Sequence, residues 1–398
     1  MPSKYLSLLL IWPCLACVGC GPTAQPTWAP DSKSFFYAHA DGSVLQYDLE
    51  KKAARTLIAA GDQQLARLDV NTAGTFLGVA HAAYGSEARA AQFGTVALLT
   101  GRVRWNDLSV WGGSTSARSV CPTSVYYCPT GKRVLIWYQQ PYDIFSGTKG
   151  EIPMGYFAVY DFENRKLEEL QTATPAITLA QMANVSPMVP DGSGYLAMKL
   201  TYEKPLFFFV TWDGWEYPIE LDERSRELLN SMGSQDSDKG QLMHDLFPLP
   251  QGVWDKNVLT YVIPHGQVRI DPVAKTFTTT KLTKEQQANF ERIHGHNEGT
   301  EESVSLEVVR FPGVEREVHC RMYGETGIKV LLVDLKTNGR RTIAEGVLPA
   351  PLRAHQLFLS PDGKRVLAWV CDEEQTATIH VIESDGSISA TVDAGRRE

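Results

Sequence analysis

Past its first twenty residues the sequence has no apolar run approaching the ~20 residues that a membrane-crossing helix requires, so nothing there reads as a transmembrane span. It has no basic excess either. With 38 Lys and Arg against 46 Asp and Glu, a formal net charge of −8 and the two signs interspersed, no basic face is available to neutralise phosphates, and nucleic-acid binding is not expected. There is no Gly-x-Ser-x-Gly pentapeptide, the strained elbow that exposes a hydrolase serine, which excludes that nucleophile. Cysteine is sparse: of seven, Cys14, Cys17 and Cys20 fall in the first twenty residues, leaving Cys121, Cys128, Cys320 and Cys371.

What the chain does have is a recurring unit. His355 to Val370 reads as a short apolar strand, Leu357-Phe-Leu359, a Ser360-Pro361-Asp362-Gly363 turn, and a second strand, Val366 to Val370. Pro361 presets φ for the first corner, Asp362 can bond its own backbone, and Gly363 accepts positive φ. Continuous apolar character, in place of alternation, suggests strands covered on both faces. Thr376 to Ile382, a Ser384-Asp385-Gly386 turn and Ser387 to Val392 complete a four-stranded meander.

Weakened copies recur with turn markers near residues 31, 72, 130, 191, 255, 313 and 362, so 41 to 64 residues apart. These define seven modules, several with a third strand ending in Asp, as at Asp48, Asp161 and Asp334. Recurrence at one structural position argues for turn chemistry over a catalytic acid. Two inserted helices are expected, one from Asp222 to Gly233 with an Asp cap, the other opened by the capping box Thr283-Lys-Glu-Gln286. With 43% apolar and 21% charged residues, a chain of this length has ample material for a folded core.

Ser-Pro-Asp-Gly-Lys, an apolar strand and a Tyr- or Val-Asp-Leu strand together resemble the TolB-type β-propeller repeat, also seen in the propeller halves of prolyl oligopeptidases. The full motif stands at Ser360 to Lys364, with partial copies at Pro30-Asp31, Pro129 to Lys132 and Pro190 to Gly192. The resemblance implies an all-β fold: a propeller of about seven four-stranded blades over residues 28–395, with short helical insertions. It implies little about activity, because propellers host many functions.

The first residues resemble a bacterial lipoprotein signal: Lys4, an apolar segment from Tyr5 to Leu15, and Cys17-Val18-Gly19-Cys20. The expected products are a signal peptide over 1–19, lipidation of Cys20 and a tether over 20–27. The expected address is the cell envelope, at the outer membrane or in the periplasm, or outright secretion if Cys20 is not acylated. An exported protein with four further cysteines has room for two disulfides in three possible pairings. Cys121 with Cys128 is the favoured pair, and buried free thiols are the alternative.

Three aromatic residues in apparent loops, Tyr142, Phe145 and Trp215, are candidates for holding a ligand, while Trp137, Tyr138, Phe207 to Phe209, Trp212 and Tyr217 read as core. The nearest thing to a metal cluster is His294-Gly-His296 with Glu298 and Glu302, which fixes no geometry without distant ligands. The pairs Arg316-Glu317 and Arg340-Arg341 read as solvated edges. The function expected is non-enzymatic binding or scaffolding of an envelope protein or an extended glycan or peptide ligand, with no cofactor. The alternative is a metal-dependent polysaccharide lyase or hydrolase with an axial active site, since some such propellers resemble oligogalacturonate lyases.

Overall fold

The computed structural model describes residues 25–61, 64–82 except 72, 92–107, 121–139 except 129, 156–169 except 165, 177–178, 187–200, 205–233, 253–288 except 264, 265 and 285, 303–347 except 324–326 and 338, and 357–396 except 373 and 375. Among them the regular structure is β, apart from the helix Glu223–Gly233 and a helical turn opening after Thr283. Both helix starts are capped as expected. Asp222 Oδ1 accepts from Ser225 N at 2.7 Å, and the Thr283 and Gln286 side chains each accept from the other's backbone N–H, at 3.1 and 2.9 Å.

The strands form six sheets, of which the largest is two meanders joined through one residue pair, Val347 with Cys371. The described residues therefore hold seven antiparallel meanders of consecutive strands. The first comprises Thr27–Trp28, Ser34–Ala38, Val44–Asp48 and Ala53–Ile58; the second Gln64–Val70, Phe76–Ala82, Gln92–Ala97 and Arg102–Asp107. The third comprises Cys121–Tyr127, Arg133–Gln139, Tyr156–Asp161 and Lys166–Glu169; the fourth Ile177–Thr178, Gly194–Leu200, Pro205–Thr211 and Glu216–Pro218. The fifth holds Val253–Asp255, Val258–Ile263, Gly266–Asp271 and Thr276–Thr280, with Glu220–Leu221 added parallel on its outer edge. The sixth holds Ser303–Arg310, Arg316–Tyr323, Gly327–Asp334 and Arg340–Val347, and the seventh Leu357–Leu359, Arg365–Cys371, Thr376–Glu383 and Ile388–Arg396. The fourth meander differs from expectation: its first strand is Ile177–Thr178, and a single bridge from Met188 to Tyr195 follows it in place of a strand at Val185.

One end of each meander is closed by short turns, save that residues 179–193 separate the first two strands of meander four. In meanders one, two, three, four and seven the first turn has the same bonding: Ala29, Asn71, Cys128, Val189 and Ser360 each donate N–H to a carbonyl five residues on and accept from an N–H three residues on. The donor three residues on lies at positive φ and is Gly74, Gly131, Gly192 and Gly363, or Ser32 in the first meander. At the same end the third strand stops on an Asp that binds the backbone of the next turn: Asp48 accepts from Glu50 and Lys51, Asp161 from Glu163 and Asn164, Asp334 from Lys336 and Thr337. This is the local bonding for which Asp is selected in turns.

Both faces of the inner strands are covered. Along Arg365–Cys371, the residues Val366, Ala368 and Val370 pack with Val318, Cys320 and Leu332 of meander six, while Leu367, Trp369 and Cys371 pack with Trp28, Phe35 and Tyr37 of meander one. Side chains alternate across a strand, so two apolar faces require a run of apolar residues. Two compact units result. In one, meander six packs on seven, seven on one, and one on two through Phe36, Val44, Leu68 and Leu77. In the other, three packs on four through Leu135, Phe157 and Tyr195, and four on five through Leu196, Phe207, Leu259 and Phe277. Each fully buried Leu or Phe in these joints contributes roughly 1.5–3 kcal/mol.

The joint between the first and last meanders is also hydrogen-bonded. Trp28 Nε1 donates to the Phe358 carbonyl at 2.9 Å, Asp362 N to Ser32 Oγ at 3.0 Å, Arg365 Nη1 to the Ser32 carbonyl at 3.2 Å, and Ala40 N to the Ala394 carbonyl at 2.8 Å. Each of the two meanders keeps its own four strands.

The Cys121–Cys128 disulfide does not form. Cys128 is a free, buried thiol whose Sγ lies 3.1 Å from Thr130 Oγ1. The two residues bracket the single strand Cys121–Tyr127. Seven steps of about 3.3 Å put their backbones about 23 Å apart, against the ~4.4–6.8 Å between Cα atoms that a disulfide tolerates. Cys320 and Cys371 are free and buried as well.

Candidate functional site

In meander four, Pro205–Thr211 and Glu216–Pro218 form a hairpin rich in aromatic residues. Phe207 and Phe209 point into the joint with meander five, while the turn Thr211 to Trp215 is held by Thr211 N to the Trp215 carbonyl at 3.0 Å and Gly214 N to the Thr211 carbonyl at 3.0 Å. Gly214 takes φ of 84°, and the Thr211 hydroxyl donates to Asp213 Oδ1. The turn is therefore rigid without a side chain filling it.

Three aromatic rings leave this hairpin, and two are engaged. Arg133 Cζ lies 5.6 Å from the centre of the Trp212 ring, and Trp212 Nε1 donates to the Gly192 carbonyl at 2.8 Å. Tyr217 stacks on Phe209, centres 6.3 Å apart, and carries Lys275 Nζ over its ring at 3.9 Å. Trp215 is the third. It is 67% exposed, and its ring finds no stacking or cationic partner among the described residues.

Trp215 thus stands in the open as its loop position suggested. Tyr217, read from sequence as core, is itself 36% exposed. Tyr142, Phe145, His294, His296 and Cys20 lie outside the described residues. Tyr142 and Phe145 belong to the connection between the second and third strands of meander three, whereas Trp215 belongs to the connection between the third and fourth strands of meander four. Connections of those two kinds start from opposite ends of a meander's strands.

The sequence reading missed a buried polar ladder in meander six. Alternation along Arg316–Tyr323 places Val318 and Cys320 on the joint with meander seven and Glu317, His319 and Arg321 on the other face. Glu317 is 1% exposed, a correction to its reading as a solvated edge, and its Oε2 lies 2.9 Å from His319 Nε2. A buried carboxylate survives only when paired, and the adjacent imidazole supplies the partner. On the first strand, Glu307 Oε2 accepts from Leu357 N at 2.9 Å, tying meander six to the start of seven. Burial and that carboxylate push the Cys320 thiol well up from its ordinary value, which makes it inert. The signal was available as the alternation Glu317-Val-His-Cys-Arg321, polar on one face and apolar on the other. Among the described residues no three His, Cys, Asp or Glu side chains gather as a metal site.

No protein-family model matches the sequence, and no curated protein matches it. Solved structures similar to it include TolB from Acinetobacter baumannii, at 10% identity over 95% of this chain and 65% of that one with a TM-score of 0.40. The dihydro-heme d1 dehydrogenase NirN aligns at 13% identity over 94% and 66% with a TM-score of 0.46. A prolyl endopeptidase aligns at 10% over 94% and 50% with a TM-score of 0.48. The chain spans less than two thirds of each of these proteins. At such identities and scores, none of them carries an activity, a ligand or a partner over to this chain.

Proposed function

We propose that this chain is an exported β-propeller, anchored at the cell envelope by a lipid on Cys20, which binds a protein partner or an extended ligand through the long connections at one end of its meanders. The observation that carries this is the unlike construction of the two ends. At the turn end, short Asp- and Gly-based turns are bonded internally and to one another: Ser32 to Asp362, and Asn257 Nδ2 to Asp191 Oδ2 at 2.6 Å. At the other end leave the long connections, 83–91 and 140–155 within meanders and 108–120 between them. A rigid scaffold with variable loops on one side is the arrangement proteins use for recognition.

Support for the propeller comes from the joints. Meanders succeed one another in chain order at four joints, and the seventh packs on the first. Support for export is the leader itself, Lys4 with the apolar Tyr5 to Leu15 before Cys17-Val-Gly-Cys20. No helix among the described residues is long and apolar enough to cross a membrane.

Replacing Tyr142 and Phe145 together by Ala, in the long connection of meander three, should abolish cross-linking of the chain to its partner in intact envelopes while leaving its thermal unfolding unchanged. An unaltered cross-linked product from a correctly folded double variant sinks the loop-face reading.

A further inference from the structure

We propose that Trp215 is a seat for the cationic side chain, arginine or lysine, of a basic segment on another protein. This surface lies at the turn end of meander four, away from the long connections, and so goes beyond the binding face proposed above.

The argument begins with what the hairpin already does. Its other two emergent rings each hold a cation from a neighbouring meander, Arg133 over Trp212 and Lys275 over Tyr217. Trp215 has the ring with the strongest attraction for cations and is the one left open. It is also presented rigidly, because the turn carrying it is fixed by the Thr211, Asp213 and Gly214 hydrogen bonds.

The surroundings select the sign of the ligand. Residues 211–227 carry Asp213, Glu220, Asp222, Glu223 and Glu227 against Arg224 and Arg226, five acids to two bases, besides Glu216, whose Oε1 is buried. Arg226 is turned back onto the Leu221 carbonyl, with Nε at 3.1 Å and Nη2 at 3.0 Å. Lys275 of the neighbouring meander is already committed to Tyr217. An acidic field around an open indole attracts a guanidinium or ammonium group and repels phosphate and anionic lipid. Val273, 63% exposed in the same turn as Lys275, and Pro218 extend the surface with apolar area for the aliphatic stems that such side chains lay down.

The probe is an acetylated, amidated peptide alternating Arg and Gly, titrated into the purified full chain while the Trp215 indole N–H resonance is followed, assigned by its loss in Trp215→Phe. A second peptide replaces each Arg by neutral citrulline, and cellohexaose serves as a neutral sugar. The arginine peptide should shift the resonance, Trp215→Ala should weaken its binding by roughly two- to fivefold or more, and citrulline should bind no better than that variant. Lys275→Gln should leave binding unchanged or tighten it by freeing the Tyr217 face. Equal binding of the two peptides, a stronger response to the sugar, wild-type affinity in Trp215→Ala, or weakened binding in Lys275→Gln overturns the proposal. Loss of envelope cross-linking in the Tyr142 and Phe145 double variant has no bearing on these outcomes, so the two proposals fail separately.

Discussion

Ser32 holds the place in its turn that Gly74, Gly131, Gly192 and Gly363 hold in theirs, at φ of 59°. In two of the others, glycine is needed for space as well as for φ: a Cβ on Gly192 would meet Thr130 Cγ2 at 2.6 Å, and one on Gly363 would meet Pro312 Cγ at 2.8 Å, each in the preceding meander. Ser32 instead uses its side chain, since Oγ accepts the Asp362 N–H across the joint between the first and last meanders. A non-glycine residue in the left-handed region costs roughly 1–2 kcal/mol, which the hydrogen bond offsets. Ser32→Ala keeps the backbone cost and removes the acceptor of the Asp362 N–H, so it should destabilise the fold by about 0.5–1.5 kcal/mol in urea unfolding. Ser32→Gly loses the bond but relieves the backbone and should come out near neutral. Equal stability of wild type and the Ala variant would mean the joint contributes nothing through this residue.

At the scale of the strand and its turn, the carboxylates ending the third strands act as a set. Backbone N–H groups of Lys51, Asn164 and Thr337 hold Asp48, Asp161 and Asp334 below their ordinary value of 3.8. A carboxyl whose folded pKa is depressed contributes stability that is fully present above the unfolded value and is lost as pH falls through the folded one. Acid unfolding below pH 3.8 should therefore be shallower in the triple variant Asp48→Asn, Asp161→Asn, Asp334→Asn than in the wild type. Identical pH profiles would show these turns to be indifferent to charge. These same turns are why so much of the fold could be read from sequence. Pro, Asp and Gly mark the corners, and runs such as Val366 to Val370 mark inner strands covered on both faces. The fourth strands were harder, because an outermost strand needs few apolar residues: Lys166-Leu-Glu-Glu169 has no strand signature beyond its position. The site was less legible than the fold. Trp215 was visible as an aromatic in a turn, but its freedom depends on Arg133 and Lys275 having gone to its neighbours, and those contacts come from other meanders. Glu317 was misread because a charged residue beside a turn usually faces water.

At the scale of the whole chain, the proposal is that seven meanders follow one another around a ring, with the last packed on the first. The contacts that recur are those of the first turns: Gly74 beside Pro30, Gly192 beside Thr130, Asn257 on Asp191, Gly363 beside Pro312 and Ser32 on Asp362. Sheets with two apolar faces are stable only when each face is covered, which favours a closed succession over one that ends on an exposed blade. Closure requires the same contact at two further joints, between meanders two and three and between five and six. The direct measurement is the distance between spin labels on Ala73 and Thr130, exposed turn residues of meanders two and three, with Asp31–Ala73 and Thr130–Asp191 as reference pairs from adjacent meanders. A closed ring gives a narrow distribution matching the two references; a distribution centred well beyond them, or spread broadly, contradicts it.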